Sequence, residues 1–600
     1  MLKNPIANSH RLFLAVAVAS ASAALTGCVD HDYDLSKDID LKVTLGGQEL
    51  HLPASSTQEL TMKQLLDLDA ESSIKVVKKD GEYGLSVGDY VLVQGGTETN
   101  SRIDIDNVRL SDLKGDRTST ELIFPMVSGV QEIAVPTPLI TSNLTIEDNN
   151  VDPNLKTLEE AETDLAMSVD VSSTFSGRAA IKKGFTVTFD EKWTVEIADD
   201  NTRSYAAIND GHTLVFTQDK VFGPEGFNLA VRVTRFKLGS SRGEGLYEVG
   251  HFLLNSEITF KGEMAVLNDN NQTTTEHVQL MTNSHVTSAV LNTVTGIVDP
   301  DITIKPTSVE INDIPDFLTD EKNNLDIADP QIYLYVSNTS PVPATINAQL
   351  VAYSSKGETT VGIGSNYGTD PVRIEANGTT CILLSRWGDK INHVYTPGRP
   401  TDYMHFVAVP DLGSLLNTVP DRIAINNVEA KADQSKPVTF RLGNGAHYEF
   451  TTDYEAVVPF SFGENMRLVY STEDDGWDED LDKYNFNEVK ITAVATNSSP
   501  LKLHPTIEAL GKNGRVLTNI TAVVDRDIEG GSLASPTQTP VVITLRSTGE
   551  NIADLKGISA EFVGTIAPQN AGVALNENHS VKFTDIQVSI LGGITVDLNE

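Results

Sequence analysis

The residues best equipped to contact a ligand run from Arg386 to Tyr403: Arg-Trp-Gly-Asp-Lys-Ile-Asn-His-Val-Tyr-Thr-Pro-Gly-Arg-Pro-Thr-Asp-Tyr. This stretch holds Trp387, one of three tryptophans in the chain, together with His393, Tyr395, Arg399 and Tyr403. Flat rings with polar edges offer rigid contact area, and tryptophan, tyrosine and arginine are enriched at binding hot spots. Such a loop suits a glycan or a partner protein. The competing reading is a long loop whose tryptophan packs back onto its own domain. A second set is Asp474, Asp475, Asp478, Asp480 and Asp482, the densest acidic run. Ca²⁺ takes roughly six to eight oxygen ligands, and closely spaced carboxylates in a turn can supply several. The spacing around Gly476 is not that of an EF-hand loop, so the run reads either as a weak Ca²⁺ site or as a solvated loop. No other cofactor is expected.

Most catalytic signatures are absent. The chain has no Gly-x-Ser-x-Gly elbow, no His-Glu-x-x-His and no Gly-x-x-x-x-Gly-Lys-Ser/Thr loop. The segment Gly362 to Gly368 is glycine-rich, but no helical pattern follows it, so it reads as a hairpin loop. The 12 histidines are scattered and none has metal-ligand spacing. Against 45 Lys and Arg stand 83 Asp and Glu, a net charge of −38. Nucleic acid binding is built on basic contacts to phosphate, so this balance excludes it. Carboxylate pairs are too common here to single out a glycosidase dyad.

The amino end says where the chain sits. Lys3 and Arg11 precede an apolar run, Leu12 to Leu25, which is shorter than the roughly 20 residues of a membrane span. It closes on Leu25-Thr26-Gly27-Cys28, and Asp30, Asp32 and Asp34 follow. This arrangement resembles a bacterial lipoprotein signal, cut before Cys28. The acidic stretch resembles the export signal of Bacteroidota-type surface lipoproteins. The resemblance implies a palmitate-bearing Cys28, a membrane partner reached through the lipid, and an outer-membrane protein facing the cell exterior. Cys381 is the only other cysteine. With Cys28 acylated, no disulfide within the chain is possible. Cys381 lies in Thr380-Cys381-Ile382-Leu383-Leu384 and reads as a buried strand thiol.

The elements that must carry these residues are strands. Six hundred residues exceed one hydrophobic core, and about three to five domains are expected. The reading is a mainly β chain of tandem β-sandwich domains with a small N-terminal mixed unit. It divides into a signal peptide at 1–27, an acidic tether at 28–40, a mixed α+β unit at 41–115, a β-rich domain at 116–300, and two sandwich repeats at 301–430 and 431–600. In the mixed unit, Ser56 to Glu59 fit a capping box that would start a helix over Leu60 to Leu68. Ile74 to Val77, then Asp80-Gly81, then Tyr83 onward read as a hairpin. Phe227, Leu229, Val231 and Val233 alternate, then the phase switches to Phe236 and Leu238, which predicts a β-bulge near Thr234-Arg235. One helix is expected in the β-rich domain, around Leu155 to Leu165.

The repeat rests on two signals. Asn338-Thr339-Ser340-Pro341 and Asn497-Ser498-Ser499-Pro500 are 159 residues apart, each after an alternating strand. Ile423 to Val428 and Val581 to Ile586 are 158 apart, and share the pattern apolar, any, apolar, polar, Asn or Asp, apolar. These signals predict that Asn338 superposes on Asn497, and Asn427 on Asp585. Weaker echoes occur at Ile103 to Val108 and Val309 to Ile314. The Asn-x-Ser-Pro segments resemble those of β-sandwich domains of the late-embryogenesis-abundant type. That likeness implies a sandwich and no activity. Three functions fit: a surface binding module for a glycan or partner protein; a structural subunit of an envelope or fimbria-like assembly, with Ile586 to Leu598 as a donor strand; and a hydrolase with an unrecognised carboxylate site.

Overall fold

The computed structural model describes residues 42–45, 49–53, 59–68, 72–103, 112–238, 246–288, 290–302, 307–311, 314–390, 403–442, 448–474, 486–511, 514–549, 552, 554–592 and 594–597. The chain is mainly β, and almost every strand pair is antiparallel. The described strands form sandwiches around three principal cores.

The middle core belongs to the sheets of residues 112–296. Phe124, Val169, Val231, Phe252 and Phe260 meet in it, all essentially inaccessible to solvent. The strand Glu160–Ser173 buries every second residue from Ala161 to Val171. The helix expected over Leu155 to Leu165 is therefore absent. Leu155, Leu158 and Leu165 mimic a helical spacing, but from Ala161 onward the apolar period is two and the sheet wins. The bulge falls where the phase switch put it. Against the strand Trp193–Ile197, Arg235 faces Thr194 and Val233 faces Val195, with Thr234 left over; the register also slips there against Glu160–Ser173, where Thr163 and Asp164 stand opposite Thr234.

The first sandwich stacks two sheets. One has the order Tyr403–Ala408, Gly378–Ser385, Gln331–Asn338, Tyr448–Pro459, Tyr90–Ile103, Ile74–Val76. The other is led by Ala344–Ser354 and Arg422–Ala432. Leu334, Ile382 and Val458 from the first meet Leu350, Ile363 and Val372 from the second. The first sheet is also covered behind, where Val77 and Leu85 pack on Tyr333, Cys381 and Leu383. Burial on both faces explains the unbroken apolar run Cys381 to Leu384. It also pushes the Cys381 thiol up to about 11, which leaves it an inert hydrophobe.

The last sandwich pairs a sheet led by Glu488–Asn497, Thr537–Ser547 and Ser580–Leu591 with one built from Arg467–Asp474, Gly557–Ile566 and Leu501–Leu510. Its outer strands come from far upstream. Glu49–Pro53 pairs with the strand Ser580–Leu591, and Lys42–Leu45 with Ile594–Asp597.

Residues 41–115 thus form no unit of their own. Their first strands pair with the last sandwich, the helix Met62–Leu66 buries Met62 and Leu66 in the core of the first, and Ile74–Val76 and Tyr90–Ile103 complete the first. A lone hairpin is marginal in water, and joining a larger sheet stabilises both parts. The helix is one turn long. Its capping box is Thr61 with Gln64, not Ser56 to Glu59.

The two Asn-x-Ser-Pro segments are the corners where the chain leaves one sheet for the other. Asn338 Nδ2 donates to the carbonyls of Val342 (2.9 Å) and Glu375 (3.0 Å), and its Oδ1 accepts from the Ser340 amide (2.9 Å) and hydroxyl (2.8 Å). Asn497 makes the same four bonds to Leu501, Glu529 and Ser499 at 2.8, 3.1, 2.9 and 2.8 Å. Both asparagines are buried. Two further bonds repeat, from the Glu375 amide to Thr380 Oγ1 and from the Glu529 amide to Thr539 Oγ1.

The second signal means something else. Asn427 and Asp585 are both left-handed (φ 49° and 51°) and both occupy β-bulges. Asn427, however, lies on the strand pairing with Ala344–Ser354, after its corner, whereas Asp585 lies on the strand pairing with Glu488–Asn497, before its corner. They are not equivalent. The matching letters report bulge chemistry, which favours Asn and Asp at positive φ, rather than position in the fold.

Candidate functional site

Trp387 follows directly on the buried strand Gly378–Ser385, and its side chain is 52% exposed. The turn beneath it is pinned. Ser385 Oγ donates to the Gly388 carbonyl (3.1 Å), the Lys390 amide to the Trp387 carbonyl (3.2 Å), and the Val409 amide to the Ser385 carbonyl (2.8 Å). Gly388 takes a left-handed φ of 60°, and a Cβ there would come within 3.2 Å of the Ala408 methyl. A glycine suits this turn on both counts.

Arg386 is the indole's polar neighbour. Its guanidinium lies 5.4 Å from the Trp387 ring centroid, donates from Nη1 to the Ile327 carbonyl (3.0 Å) and sits 3.7 Å from an Asp326 carboxylate oxygen. Such a cation–π contact stabilises by about 0.5–1 kcal/mol at an exposed site. The result is an aromatic surface held in place before any partner arrives, flanked by the exposed Asp389 and Lys390. Preorganisation of this kind lowers the cost of binding.

Tyr403 opens the strand Tyr403–Ala408, which runs parallel to Gly378–Ser385 with Tyr403 beside Thr380 and Ala408 beside Ser385. Tyr403 and Met404 are exposed, at 45% and 39%. The register puts Tyr403 at one end of the pairing and Trp387 past the other, and the paired stretch between them is about 16 Å long at roughly 3.3 Å per residue. The structure does not bring these two rings together. His393, Tyr395 and Arg399 lie outside the described residues, as do Cys28, Asp475, Asp478, Asp480 and Asp482. Asp474 ends the strand Arg467–Asp474 opposite Ile558. Among the described residues no three His, Cys, Asp or Glu gather as a metal site, and no helix is long and apolar enough to cross a membrane.

Near Tyr403 lies a charged cluster that the sequence did not announce. Glu375 Oε1 accepts from Arg373 Nε (2.7 Å) and lies 3.3 Å from His405 Nε2, and Arg373 also reaches Asp433 (3.7 Å). Hydrogen bonds from the Ser435 hydroxyl and amide hold the Asp433 carboxyl below its ordinary range, with Arg373 adding to the effect. A concave surface, a cleft of about 520 Å³, opens where the first sandwich meets the middle sheets. It draws on residues from Glu162 to Tyr448, a span over which no local pattern could have marked it.

No protein family matches the chain, and no curated protein is similar to it. Among solved structures, a "putative secreted protein" from Parabacteroides distasonis aligns with 50% of this chain and 90% of that one, at 14% identity and a TM-score of 0.34. The infectious bursal disease virus VP2 subviral particle aligns over 83% of each chain, at 8% identity and a TM-score of 0.08. Neither overlap is close enough to carry an argument about function.

Proposed function

We propose that the chain is a lipid-anchored protein of the outer membrane, facing the cell exterior, that binds a glycan or a partner protein through its sandwich loops. The anchor reading is supported by Leu25-Thr26-Gly27-Cys28 and the acidic stretch behind it. The observation that carries the binding reading is Trp387, a large apolar ring held half-exposed on a hydrogen-bonded turn. A fold that needed this indole for its core would have buried it.

The structural-subunit reading loses its donor strand. Ser580–Leu591 is already flanked by Glu49–Pro53 and Glu488–Asn497, and Ile594–Asp597 pairs with Lys42–Leu45. Ile586 to Leu598 is therefore engaged within its own chain over its described length.

Fractionation of cells carrying Cys28→Ala tests the anchor. Several acyl chains, each buried CH₂ contributing roughly 0.8 kcal/mol, make attachment stable, and the variant loses them all. The expected outcome is release into the soluble fraction. Retention of the variant with detergent-extracted membranes contradicts the reading.

A further inference from the structure

We infer that the cleft between the first sandwich and the middle sheets is a binding site for a neutral oligosaccharide. It extends the binding-module reading to a second place and stands without Trp387.

The floor of the cleft is a row across three adjacent strands. Glu162 of Glu160–Ser173 faces Thr293 of Leu291–Gly296, which faces Arg441 of Val438–Arg441. Directly opposed residues share a face, so all three side chains point the same way, with Glu162 and Arg441 about 10 Å apart across two strand spacings. The third strand comes from the first sandwich and carries Phe440 fully into the middle core, so the row is fixed. The wall is Pro341 at the Asn-x-Ser-Pro corner, Asn377, and the ring of Tyr448. Tyr448 is locked. Its ring packs on Phe440 with centroids 4.5 Å apart, and its hydroxyl accepts from the Arg441 amide (3.0 Å). The Asn377 amide donates to the Ser340 carbonyl (2.9 Å), which ties that wall to the corner.

Among the described residues, three polar side chains at this cleft have no partner. Those of Glu162, Arg441 and Asn377 make no hydrogen bond or ion pair with another described residue. The neighbouring arginines are already committed, Arg235 to Glu160 and Arg232 to Asp164. A donor-only guanidinium, an acceptor-only carboxylate and an amide offering both match a ligand whose every group both donates and accepts, which describes a ring of hydroxyls. Tyrosine and proline beside them suit the C–H face of a sugar. The two free charges cancel, and the surrounding charge of −38 disfavours a polyanion. A neutral saccharide satisfies all of these conditions.

The test is calorimetric titration of the full chain with maltotriose, cellotriose, mannotriose and xylotriose in turn. At least one is expected to bind with a Kd of about 1 mM or tighter. Arg441→Ala and Glu162→Gln should each weaken it roughly tenfold or more, since each removes a hydrogen bond to a charged group. Both side chains are exposed, and unchanged thermal unfolding of the variants will show that the fold survives. The inference is overturned if none of these sugars binds, or if binding survives both cleft variants.

Discussion

The two Asn-x-Ser-Pro sandwiches agree at one place and part at the next. At the corner, Asn338 and Asn497 make the same four hydrogen bonds at lengths within 0.1 Å of each other. One strand later they diverge. After Thr537–Ser547 the second copy needs only residues 548–556 to reach Gly557–Ile566. After Gly378–Ser385 the first copy makes an excursion through Trp387, returns in the parallel edge strand Tyr403–Ala408, and only then reaches Arg422–Ala432. The corner belongs to the fold, since a chain that changes sheets must satisfy the backbone groups it strands there. The excursion does not, because the second copy folds without it. Sequence beyond the needs of a fold is where binding surfaces are found.

The copies also differ in what they lend their neighbours. The first sends the strand Val438–Arg441 into the middle sheets, opposite Leu291–Gly296. The second sends residues 568–579 back to the first, where the Tyr90 amide donates to the Leu575 carbonyl (2.9 Å) and Leu575 enters the first core.

The largest effect expected from breaking these relations is at Phe440. It is fully buried in a core to which its own sandwich contributes little else. Phe440→Ala should destabilise the middle sheets by about 3–5 kcal/mol. Hydrogen exchange should show amides of Leu291–Gly296 and Glu160–Ser173 losing protection while those around Asn497 keep theirs. Uniform loss across the chain would mean that the cores unfold as one.

Next come the corners themselves. Asn338→Ala and Asn497→Ala each strand a buried carbonyl (Val342 or Leu501), a less buried one (Glu375 or Glu529) and a buried serine, at a cost of roughly 2–3 kcal/mol. Because the bonds are alike, the two losses should agree to within about 1 kcal/mol by urea denaturation, with the standard allowance for additivity. A several-fold difference would show that the likeness of the corners is geometric and not energetic.

Much of the fold was legible because strands write local patterns. Alternation marked Phe227 to Val233, and the switch to Phe236 marked the bulge at Thr234. Asn338 and Asn497 could be paired by spacing alone, because three of the four hydrogen bonds each makes reach residues two to four positions on. What stayed hidden was partnership. Nothing in Glu49–Pro53 says that its partner lies at Leu591 to Gln587, more than 500 residues away. Asn427 and Asp585 misled for the related reason that a bulge looks alike wherever it occurs. Of the candidate site, the sequence marked Trp387 by composition but not its separation from Tyr403, which follows from a parallel pairing. The cleft was invisible, since Glu162, Arg441 and Tyr448 meet only when modules do.

The smallest expected effect is also the most direct test of whether the excursion lies outside the needs of the fold. Trp387→Ala removes a half-exposed ring and one contact to Arg386. Urea denaturation of the variant beside the parent should show a loss of at most about 1 kcal/mol. A loss of roughly 3–5 kcal/mol, the cost of emptying a packed aromatic site, would show that the indole is core after all and contradict the binding reading.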